Sequence, residues 1–106
     1  MDGEYLFDVY VANAQLFAAR DKAPEQIVVA IFQNQNNERY SDCDYSDDTG
    51  LPNAESSQFY GFIRDELLPY LDNNYRTSLF KTIVGNTLTG NFINYFFLEP
   101  SPIFNA

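Results

Sequence analysis

Apolar residues recur at helical spacing in two separate segments of the chain. In the first, residues three and four positions apart share one face and predict an amphipathic helix over about residues 6–20. In the second, the same spacing predicts a helix over about residues 57–72, and Pro69 should bend its last turn because proline removes a backbone donor. The apolar positions are Phe7, Tyr10, Val11, Ala14, Phe17 and Ala18 in the first segment and Phe59, Phe62, Ile63, Leu67, Tyr70 and Leu71 in the second.

Two short apolar runs that contain β-branched residues predict strands. Residues 27–32 are continuously apolar, which is typical of a strand buried on both faces. Residues 81–84 predict a second strand, and the apolar segment 91–97 predicts a buried final helix. Between the first strand and the second helix, residues 38–55 are acidic and rich in turn-forming residues, so they predict a long surface loop.

This order of helices and strands indicates an α/β fold. A helix–strand–helix–strand–helix sequence implies a short parallel sheet with right-handed crossovers. With 106 residues the chain is expected to form one domain, residues 1–106. Two strands are marginal alone and leave both sheet edges open, so the pattern also predicts self-association or a partner chain that completes the sheet.

Composition and charge exclude several classes of partner. The net charge is −9 and only six residues are Lys or Arg, which argues against nucleic acid and against an anionic membrane surface. No apolar run approaches the roughly 18 residues of a membrane-spanning helix, and no signal peptide is visible at the start. The lone cysteine, Cys43, has no partner for an internal disulfide, so the cytoplasm is the default expectation.

The chemistry-bearing segment is Gly85, Asn86, Thr87, Leu88, Thr89 and Gly90, called the elbow below. A strand, a tight turn and a helix are predicted here, and Gly85 fits the first glycine of the G-x-S-x-G pattern that presents a nucleophile at such a turn. Thr87 stands where the pattern has serine and Thr89 where it has the second glycine. A nucleophile at this turn has positive φ, which costs a β-branched residue more than serine, so both threonines are expected to weaken the elbow geometry.

Four segments of the chain together resemble one known family. They are DGEYLF at 2–7, APEQIVVAI at 23–31, FIRDELLPYLDNNYRT at 62–77 and VG at 84–85. Their order and spacing are similar to those of the Putative esterase family of the α/β-hydrolase superfamily, which includes enterochelin-esterase-like and esterase D-like proteins. The resemblance implies a partial α/β-hydrolase fold that corresponds to the central portion of a family member. Further strands, the triad acid and the histidine would lie outside these residues.

The resemblance also implies roles for residues of the elbow. Thr87 takes the nucleophile position, and Leu88 and Glu4 would offer backbone N–H groups to an oxyanion. The implied substrate is a small-molecule ester, with no cofactor and no metal. The sequence, however, contains no histidine to accept the proton of the nucleophile. A truncated or degenerate hydrolase that is inactive alone is therefore expected. The alternative is a non-catalytic interaction or scaffold module that pairs through open sheet edges.

Three other features each have two interpretations. Asp42, Asp44, Asp47 and Asp48 supply the carboxylate oxygens that calcium prefers, but they lack the register of an EF-hand, which favours a solvated loop or a loop at a substrate cleft. Cys43 is either a reactive thiol or an inert one, and the carboxylates on both sides favour the inert form. The many Tyr and Phe residues either stack on a ligand or pack in a core, and their helical spacing favours the core.

Overall fold

The computed structural model describes residues 1–33, 36 and 38–106. These residues form two compact units, Met1–Gln33 and Asn34–Ala106, which are described separately below. The prediction of a single domain over residues 1–106 stays a prediction. The helical elements are α1 (Gly3–Ala19), α2 (Glu38–Asp42), α3 (Ser56–Phe62), a π-helical segment (Ile63–Leu67), α4 (Leu68–Asn74) and α5 (Leu88–Leu98).

The prediction of an α/β fold with a short parallel sheet is wrong for the part of the chain that the structure describes. These residues contain no β-strand and no sheet, and their one β-bridge joins Tyr45 to Pro52 in antiparallel orientation. Residues 27–32 and 81–84 fall outside any regular element, and Ile27 and Val29 remain exposed. A strand is stabilised by neighbouring strands and by burial of its faces, and in the described residues these segments have no neighbouring strand and no fully buried residue.

The first unit consists of α1 and the segment that follows it. The prediction of a first helix is confirmed, with a start three residues earlier than expected. Asp21 ends the helix in the left-handed conformation, at φ 52°. The N–H of Lys22 then donates to the carbonyl of Phe17 and that of Asp21 to Ala18, the pairing of a Schellman motif. At the other end of the helix, the Gly3 N–H donates to the Ile31 carbonyl at 3.1 Å.

In the second unit, the predicted helix over residues 57–72 is confirmed but is not regular. Helical residues run from Ser56 to Asn74 and widen into a π-helix at Ile63–Leu67, where the Leu68 N–H donates to the Ile63 carbonyl five residues back. This widening comes directly before Pro69, whose ring would clash with the carbonyl of a regular preceding turn. The sequence predicted a bend in the last turn at Pro69, whereas the structure places the irregularity before Pro69, as a π segment at Ile63–Leu67.

Aromatic side chains form the core of the second unit. Phe59 lies 5.2 Å from Phe92 between ring centroids, Tyr60 lies 4.7 Å from Phe96, and Phe96 meets Phe104 edge to face at 5.0 Å. The core interpretation is confirmed for the buried aromatics Phe59, Tyr60, Phe92, Phe96 and Phe104, whereas eleven of the eighteen Tyr and Phe side chains are exposed. The prediction that the last helix is buried all round is wrong, because only Thr89, Phe92 and Phe96 of α5 are buried.

The segment predicted as a long acidic surface loop contains a short helix, α2, followed by turns. Its exposed residues fit the prediction, but Cys43 is fully buried. The carbonyl of Asp44 accepts a hydrogen bond from the buried Ser56 hydroxyl at 2.6 Å, which ties the loop to the start of α3. Among the helices that the structure describes, none is long and apolar enough to cross a membrane.

Candidate active site

The segment that leads into the elbow is fixed by backbone hydrogen bonds to the end of the chain. The Asn105 N–H donates to the Lys81 carbonyl at 2.8 Å, and the Ile83 N–H donates to the Ala106 carbonyl at 2.9 Å. The Lys81 N–H also donates to Asn105 Oδ1 at 2.9 Å. Residues 81–83 and 105–106 run in the same direction, because Lys81 pairs with Asn105 and the later residue Ile83 pairs with the later residue Ala106. Residues 81–83 thus have a defined position although they belong to no strand.

Thr87 has the strained backbone that a nucleophile elbow requires. Its φ is 56° and its ψ is −109°, and it is the N-cap residue of α5, which starts at Leu88. A non-glycine residue in such a region costs on the order of 1–3 kcal/mol. Its carbonyl accepts from the Asn91 N–H at 3.0 Å, which closes the first turn of the helix. Position 87 keeps its positive φ with threonine present, the expectation that the two threonines weaken the elbow stays a prediction, and the side chain of Thr87 is exposed.

Gly85 lies against Thr89 so closely that it has no room for a side chain. A Cβ atom at Gly85 would stand 2.7 Å from the backbone carbon of Thr89 and 2.8 Å from its carbonyl oxygen. A Cβ at Gly90 would stay 3.4 Å from the Gly85 carbonyl oxygen, which is tight but not overlapping. The first glycine of the pattern is therefore needed for close approach between the chain before the turn and the helix after it, as the pattern predicts.

Both backbone polar groups of Asn86, its N–H and its carbonyl oxygen, form hydrogen bonds. Its N–H donates to Thr89 Oγ1 at 2.7 Å, and the same hydroxyl donates to the Asn86 carbonyl oxygen at 3.0 Å. Arg39 Nη2 also donates to that carbonyl oxygen at 3.1 Å. Thr89 is fully buried. Sequence reasoning did not find Arg39, because it is 47 positions away and no spacing links it to the elbow.

The two proposed oxyanion donors lie at helix starts in different units. Leu88 is the first residue of α5, and Glu4 lies in the first turn of α1. The first four N–H groups of a helix have no partner within the helix, so such positions can donate to an anion. The side chain of Glu4 accepts a hydrogen bond from the Gln33 N–H at 2.9 Å. The oxyanion roles of Leu88 and Glu4 stay predictions.

Two basic residues belong to segments joined to the elbow: Lys81, four positions before Gly85, and Arg39, which donates to the Asn86 carbonyl oxygen. Lys81 Nζ lies 3.3 Å from Asp72 Oδ1 and forms an ion pair with it. The Thr77 hydroxyl, followed by Lys81, lowers the pKa of Asp72, so this carboxylate is ionised at neutral pH. Arg39 carries a guanidinium, which does not lose its proton in proteins. The absence of a general base for Thr87 stays a prediction.

The other candidate sites have structural roles. Across the described residues, no group of three or more His, Cys, Asp and Glu side chains is placed to hold a metal ion. Asp44, which belongs to the acidic loop, accepts from Asn53 Nδ2 at 2.9 Å and so fixes the turn before α3. The burial of Cys43 favours the inert interpretation of its thiol.

Comparison with known proteins places the chain in a family. The family model described as Putative esterase matches residues 1–93, and the chain belongs to this family. The sequence is thus that of an esterase-like hydrolase, and the family suggests ester substrates. No curated protein and no solved structure matches the chain.

Proposed function

We propose that this chain is an esterase-family protein whose elbow presents Thr87 but which does not hydrolyse esters by itself. The observation that supports the proposal most is the backbone of Thr87, at φ 56° and ψ −109°, in a sequence without histidine. The geometry keeps the hydroxyl exposed at the start of a helix. The composition leaves it without the imidazole that would activate it.

The missing imidazole is decisive because ester hydrolysis by acyl transfer needs a base. In ester hydrolysis by acyl transfer, the nucleophile oxygen attacks the ester carbonyl while a base takes its proton, and the alcohol then leaves with that proton. Water releases the acyl group in a second step that uses the same base. We assign Thr87 to the nucleophile position, Leu88 and Glu4 to oxyanion donation, and a carboxylic ester to the substrate position. Without a base, Thr87 stays protonated near neutral pH and neither step proceeds.

Hydrolysis of a chromogenic short-chain ester tests this proposal. We expect the purified protein, its Thr87→Ala variant and its Thr87→Ser variant to release p-nitrophenol from p-nitrophenyl acetate at the same rate per mole of protein. The serine variant is the informative control, because it restores the usual nucleophile and still lacks a base. Turnover by the unsubstituted protein that Thr87→Ala abolishes would overturn the proposal.

Exposed apolar residues outside the elbow favour a second candidate, a non-catalytic interaction module that associates with a second copy of itself. Leu79 is 94% exposed and Phe80 is 67% exposed in the segment before the elbow. In the first unit, Phe32 is 61% exposed in the segment that follows α1. Large apolar side chains that stay exposed often mark protein interaction sites, and each unit carries at least one.

We therefore expect sedimentation velocity to show association that increases with protein concentration. The Phe80→Glu variant should sediment as a smaller species, because a charge in an apolar contact is costly to bury. Tyr70→Glu is the matched control, since Tyr70 is also exposed but lies on α4, away from these segments in sequence. A cooperatively folded monomer across the whole concentration range would contradict this candidate, whereas the hydrolysis experiment is unaffected by it.

A further inference from the structure

We infer that Thr89 and Arg39 are positioning residues for the elbow: together they fix the peptide between Asn86 and Thr87 and so keep Thr87 in its left-handed backbone conformation. The Thr89 hydroxyl and the Arg39 guanidinium both donate to the Asn86 carbonyl oxygen, at 3.0 and 3.1 Å. This inference concerns the shape of the elbow. It holds whether or not the chain hydrolyses an ester.

Two peptide planes flank Thr87, one on each side of its α carbon. Its φ and ψ angles are set once the plane before it and the plane after it are both held in place. The plane after it carries the Thr87 carbonyl, which accepts from the Asn91 N–H in the first turn of α5. The plane before it carries the Asn86 carbonyl, which Thr89 and Arg39 hold. The positive φ of Thr87 is thus fixed from both sides.

Relaxation of the strain would break these contacts. Rotation of the peptide plane between Asn86 and Thr87 is the simplest motion that brings a positive φ back toward the ordinary negative range. That rotation would turn the Asn86 carbonyl oxygen away from both donors. The lost hydrogen bonds would leave the hydroxyl of the fully buried Thr89 without one of its partners, which is unfavourable in a buried position.

Thr89 contributes something that the glycine of the usual pattern cannot. Glycine at position 89 would permit close approach but has no hydroxyl, whereas the Thr89 Oγ1 both accepts from the Asn86 N–H at 2.7 Å and donates to the Asn86 carbonyl. The threonine is accommodated because Gly85 opposite has no side chain. The hydroxyl that Thr89 adds where the pattern has glycine therefore helps to keep Thr87 at its positive φ.

Amide hydrogen exchange by NMR tests the inference, with Thr89→Val and Thr89→Ser as a matched pair. Valine keeps the shape of threonine without the hydroxyl, and serine keeps the hydroxyl. We expect the Asn86 amide to exchange roughly tenfold faster in Thr89→Val, the size of effect that loss of one hydrogen bond produces. In Thr89→Ser it should stay near the unsubstituted rate. The Asn91 amide, which bonds to the Thr87 carbonyl, serves as an internal control for folding of the first turn.

The backbone of Thr87 gives the second readout. A positive φ brings the amide and α protons of one residue close together, so Thr87 should show a strong intraresidue nuclear Overhauser effect. We expect that signal to weaken in Thr89→Val and in Arg39→Met and to persist in Thr89→Ser. An unchanged signal and unchanged Asn86 exchange in both Thr89→Val and Arg39→Met would overturn the inference. If Thr89→Val does not fold, amide exchange in the unsubstituted protein provides the test. An Asn86 amide that is as protected from exchange as the Asn91 amide supports the inference, and an unprotected Asn86 amide overturns it.

Discussion

Replacement of Phe96 by alanine is expected to lower the free energy of unfolding by about 3–5 kcal/mol, the usual cost of deleting a buried aromatic ring. Phe96 is fully buried and its ring contacts those of Tyr60, Phe92 and Phe104. The substitution removes the side chain that links α3, α5 and the end of the chain, and it leaves a cavity that rigid neighbouring rings cannot fill. Chemical denaturation followed by circular dichroism measures the effect.

Phe97→Ala is the matched control for this prediction. Phe97 is the next residue on the same helix but is 44% exposed, so its removal deletes an equal side chain with much less burial. We expect a loss of less than about 1.5 kcal/mol, since its transfer free energy is only partly recovered on folding. Equal losses from Phe96→Ala and Phe97→Ala would show that the aromatic core is not arranged as described.

Replacement of Gly85 by alanine is the second prediction with a large effect. The added Cβ would overlap the backbone of Thr89 at 2.7 and 2.8 Å, and backbone atoms cannot move away as a flexible side chain could. Overpacking of this kind costs about 1–3 kcal/mol and occasionally more. We expect Gly85→Ala to reach the upper end of that range and to separate the chain before the elbow from α5. Denaturation gives the energy, and the intraresidue signal of Thr87 reports the loss of its positive φ.

Gly61→Ala provides a control in which the same chemical change has the opposite sign. Gly61 lies inside α3, and a Cβ there would meet its nearest atom, Asp65 Oδ2, at 3.9 Å, an ordinary contact. Alanine is favoured over glycine within a helix by about 1 kcal/mol. We therefore expect Gly61→Ala to stabilise the protein. Destabilisation by Gly85→Ala no greater than the effect of Gly61→Ala would contradict the close approach at the elbow.

The helices were predictable because their signal is local. The spacing of apolar residues marked the helices at residues 3–19 and 56–74, and Pro69 marked the irregularity that became a π segment. The sheet was not predictable in the same way, because strands depend on partners distant in sequence. Residues 27–32 have the composition of a buried strand, yet Ile27, Val29 and Phe32 are exposed. Their apolar character predicted that they would be buried, but it carried no information about which segment would cover them.

The elbow shows the same division between local and distant information. Gly85 and the following apolar helix indicated the turn from the sequence, and Thr87, which takes the nucleophile position of the pattern, has a positive φ. The contacts that hold the turn come from elsewhere. Arg39 reaches it from α2, and the backbone of residues 105–106 pairs with residues 81–83. Neither contact leaves a sequence pattern, since each depends on how distant segments pack.

Covalent labelling tests most directly the proposal that the elbow presents Thr87 without activating it. A fluorophosphonate reacts with an activated hydroxyl nucleophile and stays attached, so intact-protein mass spectrometry detects even slow chemistry. We predict no adduct on the unsubstituted protein or on Thr87→Ser after prolonged incubation, while a serine esterase in the same tube is fully labelled. An adduct at Thr87 that is absent from Thr87→Ala would contradict the account.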